Sequence, residues 1–184
     1  MKAKLHGQDC MISRTGYTGE DGFEIFFDSS SSILWENLLS DGQVFGIKPA
    51  GLGARDILRL EAGMMLYGND MDESVTPLEA PLKWTVKLEK NFIGKNALEK
   101  NEPQKRLFGF EVIGSKRVAR QNDQIIYEGK NVGRVTSGTF SPTLGKSIGF
   151  CYVPPDMQFG QDIQILIGGK NYDAKLGSTR FYKK

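Results

Sequence analysis

The densest group of chemically useful side chains is Arg14-Thr15-Gly16-Tyr17-Thr18-Gly19-Glu20-Asp21-Gly22-Phe23-Glu24-Ile25. Three glycines close together let the backbone turn sharply and approach a ligand. An aromatic such as Tyr17 can lie flat against a planar heterocycle. A carboxylate such as Glu24 can accept two hydrogen bonds from an amidine-like edge, where an amino group sits beside a ring N–H. Gly-Glu-Asp-Gly also makes an acceptable hairpin with its charges in water. The residues alone leave both readings open.

A second group lies in Pro49–Gly63. Gly51 and Gly53 give GxG ahead of a helix, but no third glycine follows at the dinucleotide spacing and no P-loop Lys-Ser/Thr is present. Arg55 and Arg59 stand at i, i+4 and are expected to share a helical face near its positive N-terminal end. Such a face binds an anion where it lines a cavity and makes ordinary ion pairs elsewhere. The third group, Met64–Glu79, carries Asp70, Asp72 and Glu73. Counting from Asp70, the EF-hand glycine and glutamate positions are Val75 and Pro81, so a calcium loop is excluded. Capping by Ser74 or Thr76 is sufficient explanation. Trp84 is expected to begin a following strand.

The rest of the composition narrows the chemistry. With a single histidine, His6, near a frayable end, a His-based triad or zinc site has one candidate and poor prospects. No CxxC occurs, and Cys10 and Cys151 lie far apart in apolar segments, which fits a reducing compartment. No metal is expected. No apolar run approaches the roughly 18 residues of a membrane span, and Met1–His6 lacks the apolar stretch of a secretory signal. The reading is a soluble chain without a membrane partner.

Positioning these residues requires elements of two kinds. Cys10–Arg14 and Phe23–Phe27 read as strands around the glycine-rich turn. Ser29–Ser32 offers N-caps for a helix over Ile33–Leu39 stopped by Gly42, and a second helix is expected from Leu52 to Ala62 closed by Gly63. A short helix over Gly94–Lys100 follows. Polar Glu99–Arg106, with Pro103, then marks a boundary, giving domains over 1–103 and 104–184. Beyond it, Leu107–Val112, Gln124–Tyr127, Asn131–Thr136, Ser147–Val153, Ile163–Ile167 and Asn171–Leu176 are short, β-rich and separated by turn chemistry such as Gly168-Gly169. Six such strands predict an all-β barrel or sandwich. The charge divides at the same place, with 11 Lys and Arg against 16 Asp and Glu before the boundary and 13 against 6 after it. The basic residues are scattered rather than blocked, so a solvated surface is favoured over a nucleic-acid face.

Taken together, Arg14–Ile25, Gly51–Gly63, Leu66–Asp70, Trp84 and Gly133–Gly138 followed by Ser141-Pro142-Thr143 resemble the aminomethyltransferases, the T-proteins of the glycine cleavage system. The likeness extends over residues 9–184 but only to the C-terminal half of that family. The chain is therefore expected to be an excised piece, a shortened gene product or one half of a split enzyme. The family's catalytic aspartate belongs to the other half, and no catalytic residue can be assigned here. The resemblance implies an α+β fold: the C-terminal part of a folate-binding α+β domain over 1–103, then a distorted jelly-roll or Greek-key barrel over 104–184. It also implies exposed apolar surface near residues 9–27, where the first domain is incomplete.

In function, the resemblance implies transfer of the methylene carbon of an aminomethyl group, carried on lipoylated H-protein, to tetrahydrofolate as co-substrate. Ammonia is released and 5,10-methylenetetrahydrofolate forms. Glu24 matches the pterin-binding glutamate, Tyr17 a tyrosine of the folate cleft, and Arg55 a ligand-contacting arginine. Trp84 matches a tryptophan lining the same region. At the C-terminus Tyr182 is assigned the ligand-facing position, although the resemblance does not separate it from Phe181. The partners implied are H-protein, folate and a separate N-terminal half, and the location is cytoplasmic, or the mitochondrial matrix in a eukaryote. A folate-binding or H-protein-docking module without catalysis is the alternative.

Overall fold

The computed structural model describes residues 1–28 and 32–182. Two compact units form, Met1–Arg59 and Leu60–Lys184. In the first, β1 (Lys2–Leu5), β2 (Gln8–Ser13) and β3 (Glu24–Phe27) make an antiparallel meander. β1 was not anticipated, since alternating lysines near a chain end carry little apolar signal. A turn with positive φ at His6 and Gly7 joins it to β2, and Met11 pairs with Phe26 across β2 and β3. Met11, Phe23, Phe26 and Phe27 are all exposed, so this sheet does present the expected apolar surface.

α1 (Ile33–Gly42) begins at Ser32, whose hydroxyl bonds the Glu36 carboxylate instead of capping a backbone N–H. Ser29, Ser30 and Ser31 lie outside the described residues. The α-helix ends at Gly42 as expected, although through a right-handed glycine at φ −77°. The chain continues as a 3-10 turn over Gln43–Phe45 and reverses at Gly46, where φ is +72°. α2 (Leu52–Glu61) has the expected extent and ends at Gly63, whose left-handed φ of +82° lets its N–H reach the Leu60 carbonyl.

The second unit is built on a closed antiparallel barrel. Its strands are β4 (Arg106–Val112), β5 (Gln124–Tyr127), β6 (Lys130–Ser141), β7 (Lys146–Val153), β8 (Asp162–Ile167) and β9 (Lys170–Gly177). They are ordered β4-β7-β6-β5-β8-β9, with β9 pairing back to β4. Five strands fall close to where alternation and turn residues place them, whereas β6 runs on past Thr136 to Ser141, paired with β7 along that length. Gly168 and Gly169 both have positive φ in the β8–β9 hairpin, as a two-residue primed turn requires.

Period two sorts the core into layers. Phe108, Phe110, Cys151, Val153, Ile163, Ile165 and Leu176 fill the barrel. Leu107, Ile148, Phe150 and Tyr152 point the other way and pack with Leu60, Met65 and Val75. β7 is consequently buried on both faces from Ser147 to Val153. Two motif glycines are explained by close approach of another backbone: a Cβ at Gly133 would meet the Tyr152 carbonyl, and one at Gly138 the Ala119 carbonyl.

The segment between Leu60 and the barrel belongs to the barrel's unit. Leu107 N–H bonds the Glu79 carbonyl at 3.0 Å, and α3 (Lys95–Lys100) follows Gly94 at φ +93°. Trp84 lies in a 3-10 turn over Lys83–Thr85 and not at a strand start, because Leu82 and Lys83 carbonyls close successive turns onto Thr85 and Val86. Tyr152 Oη donates to the Asp70 carbonyl at 2.9 Å. Burial above all, then the negative Asp70, Glu79 and Asp72, pushes its phenol well above the ordinary value of 10.0, while Arg134 opposes them. The folded state thus keeps a proton that the unfolded chain releases above about pH 10. Stability from this group is complete below that pH and is lost as the pH rises further. Urea midpoints should therefore fall from about pH 10 upward, and fall less steeply in Tyr152→Phe. Parallel slopes would refute this.

Candidate functional site

The loop between β2 and β3 is closed by its own ion pair. Arg14 Nε and Nη2 reach the two Asp21 carboxylate oxygens at 2.8 and 2.7 Å, a bidentate fork, and the guanidinium lies over Phe23 at 5.7 Å. Gly19, at φ +77°, supplies the reversal inside the clasp. Of the three loop carboxylates, Asp21 is therefore structural. Composition alone did not separate it from Glu24, although a basic and an acidic residue at the two ends of a glycine-rich turn was the available signal.

Glu24 opens β3 opposite Ser13 and is exposed. Its carboxylate accepts the Thr15 hydroxyl. An ionised carboxylate offers about four acceptor positions, so capacity remains for a bidentate donor. Tyr17, half-buried, lies under the Arg55 guanidinium with 4.5 Å between the cationic carbon and the ring centre. Tyr17 and Arg55 are brought into contact, and Glu24 is tied to the same loop through Thr15. The chemistry of this set fits a planar ring bearing a donor edge: an acceptor pair, an aromatic and a cation.

The i, i+4 arginines do not share an environment. Arg55 is exposed, whereas Arg59 is 1% exposed and places Nε and Nη2 each 2.8 Å from Asp56 Oδ1. Spacing of four keeps both on one side of the helix, but only Arg55 is open to solvent, and Arg59 makes the ordinary ion pair that was the other reading.

In the second unit Trp84 is exposed on its 3-10 turn. Phe181 and Tyr182 are separated by packing. The Phe181 ring stacks on Phe150 at 6.0 Å and 13°, inside the layer outside the barrel, while Tyr182 keeps 36% of its surface. Both backbone N–H groups bond the Glu61 carbonyl, at 3.1 and 3.0 Å.

Three carboxylates to which sequence reasoning gave no buried partner are buried here: Glu61, Asp70 and Glu79. Glu61 accepts the Ser141 hydroxyl and, at 3.0 Å, that of Thr143. Asp70 accepts Thr136 Oγ1 at 2.6 Å and Leu66 N–H at 2.9 Å. Glu79 accepts Thr76 N–H and Oγ1 at 2.9 and 3.1 Å, while Thr76 Oγ1 takes Glu79 N–H at 3.3 Å, a reciprocal capping box. Thr76-x-x-Glu79 was legible as such a box. Asp72 makes only a local turn with Ser74, and no group of three or more His, Cys, Asp or Glu among the described residues could hold a metal.

Glu61→Ala should cost about 1.5–3 kcal/mol, the range for hydrogen bonds to a charged group. Hydrogen exchange should quicken at Leu144, whose N–H bonds Ser141 Oγ at 3.0 Å. The Phe181 and Tyr182 amides should stay protected, because they use the backbone carbonyl. Equal acceleration at both places would show that the carboxylate is no local latch.

An α+β stretch leads into a closed six-stranded antiparallel barrel, and both parts match domains of the glycine cleavage T-protein class. Residues 1–90 match the GCVT N-terminal domain and residues 105–183 the glycine cleavage T-protein C-terminal barrel domain. The chain belongs to the aminomethyltransferase family. It is 48% identical over 184 residues to the aminomethyltransferase of Pseudothermotoga lettingae, covering 97% of this chain and 50% of that protein. The aminomethyltransferase of Caldanaerobacter subterraneus subsp. tengcongensis is 47% identical over 189 residues, covering all of this chain and 50% of that protein. The crystal structure of glycine cleavage system aminomethyltransferase T from Bartonella henselae superposes with a TM-score of 0.84 at 35% identity, over 93% of this chain and 49% of that one. The chain spans about half the length of the relatives it matches.

Proposed function

We propose that this chain supplies the pterin-recognising loop and the barrel of an aminomethyltransferase. The whole enzyme moves the methylene carbon of the aminomethyl group on lipoylated H-protein to tetrahydrofolate, with release of ammonia. The observation carrying this reading is Glu24. It is an exposed carboxylate at the end of a loop held by Arg14–Asp21, and the same loop carries Tyr17 under Arg55.

Glu24 takes the pterin's amino and ring N–H edge, Tyr17 offers its ring, and Arg55 carries positive charge to the substrate. Trp84 and Tyr182 are the ligand-facing aromatics of the second unit; exposure supports Tyr182 over the packed Phe181. We also keep the domain division at 103/104, with Leu60–Glu102 as a strap on the barrel. Two free, buried cysteines support a reducing interior, cytoplasm or mitochondrial matrix, and no described helix is long and apolar enough to cross a membrane.

The test mixes the 184-residue chain with the corresponding N-terminal half of the Pseudothermotoga relative and assays methylenetetrahydrofolate formation from loaded H-protein. Turnover should appear in the mixture and be at background with the chain alone, since no residue here matches the family's catalytic aspartate. Robust turnover by the chain alone would overturn that assignment. Folate binding without turnover in the mixture would favour a non-catalytic module.

A further inference from the structure

A cavity of about 570 Å³ opens on the barrel's flank, wholly within the Leu60–Lys184 unit. That volume lies in the range of small-molecule sites. Its wall holds two cations, Lys83 and Arg106, and neither forms an ion pair among the described residues. Arg106 is the first residue of β4, and its guanidinium lies 5.3 Å from the Phe108 ring centre and 5.6 Å from that of Phe159. The two rings meet edge to face at 5.2 Å and 71°. Rings occupy the face of the guanidinium and leave its N–H edge for a planar anion.

The remaining wall points to the same chemistry. Pro81, Pro103 and Pro155 supply rigid apolar surface and no N–H of their own, so at these three positions the wall offers contact to an apolar body. The wall's carboxylate, Glu79, is 7% exposed and engaged by Thr76. Ser178 Oγ accepts the Arg180 N–H at 3.1 Å, which leaves its own O–H free to donate.

We propose that this cavity is a binding site for a small carboxylate with an aromatic or apolar body. Arg106 and Lys83 take the carboxylate, and Phe159 with the proline wall takes the body. Glu24, Tyr17 and Arg55 have no part in it, so the site stands or falls separately from folate recognition.

The probe is benzoate, titrated into the ¹⁵N-labelled 184-residue chain, with benzyl alcohol and inorganic phosphate as comparisons. Benzoate should shift the amides of Lys83, Arg106, Leu107 and Phe159 saturably, with a dissociation constant on the order of 1 mM. Arg106→Ala and Lys83→Ala should each weaken it about tenfold, the loss of one charged contact. Both positions are exposed, so peak dispersion should be retained; if Arg106→Ala loses it, Arg106→Gln replaces that variant with the same expected weakening. Benzyl alcohol and phosphate should bind at least about tenfold more weakly, each lacking one half of the recognition. Absence of saturable shifts with benzoate overturns the proposal. So does binding that survives in the folded double variant, or equal binding of benzyl alcohol or phosphate.

Discussion

Asp70→Ala should lower the stability of the barrel-bearing unit by about 2–5 kcal/mol, from one buried and one half-buried donor, each worth roughly 1–3 kcal/mol when left without an acceptor. Asp70 is 0% exposed. One carboxylate oxygen holds Thr136 on β6 and the other the Leu66 N–H, while the backbone carbonyl takes the Tyr152 hydroxyl on β7. The residue thus fixes the 66–70 turn to two adjacent strands. Alanine removes both side-chain acceptors and leaves space that close-packed neighbours cannot fill. Thr136 retains a weaker option, the Phe150 carbonyl at 3.4 Å, which should keep the loss toward the middle of the range. Asp70→Asn keeps one acceptor and most of the volume, and should cost about half as much. Urea unfolding at neutral pH measures both. A loss below about 1 kcal/mol for alanine would show that the turn relaxes without its carboxylate.

Asp70 also shows where sequence reading stops. Its acidic neighbours invited a cation, and loop spacing removed that reading, but no spacing announces a partner as distant as Thr136. Glu61 and Ser141 are separated in the same way. A buried carboxylate and a solvated one carry the same letter, and the difference lies in tertiary contacts that local patterns do not encode. The barrel strands were legible for the opposite reason, since alternation and glycine turns are local and act strand by strand. The unit border falls at Arg59, inside α2, although the polar stretch around Pro103 looks like a linker. Leu60, Met65 and Val75 pack outside the barrel in the same layer as Leu107, Phe150 and Tyr152. Composition marked a change of secondary structure there, and the packing crosses it.

In the reconstituted enzyme, Glu24→Ala should lower kcat/KM for tetrahydrofolate at least tenfold, carried mainly by KM. A charged acceptor facing two donors is worth about 1.5–3 kcal/mol, or roughly tenfold to a hundredfold in affinity. Asp21 cannot take its place, because both of its oxygens are committed to Arg14. Glu24→Gln should not rescue, since its amide presents an NH₂ donor where the pterin edge also donates. Glu24→Asp keeps the charge on a shorter stem and should recover part of the loss. Thr15→Ala removes only the hydroxyl that orients the carboxylate, and should cost a few-fold, near the 0.5–1.5 kcal/mol of an ordinary hydrogen bond. Glu24 is exposed, so these changes should leave the urea midpoint almost unmoved, separating recognition from folding. If Glu24→Ala instead left KM for tetrahydrofolate unchanged while Arg55→Ala raised it, the pterin edge would be read elsewhere, and Glu24 would serve only to hold Thr15.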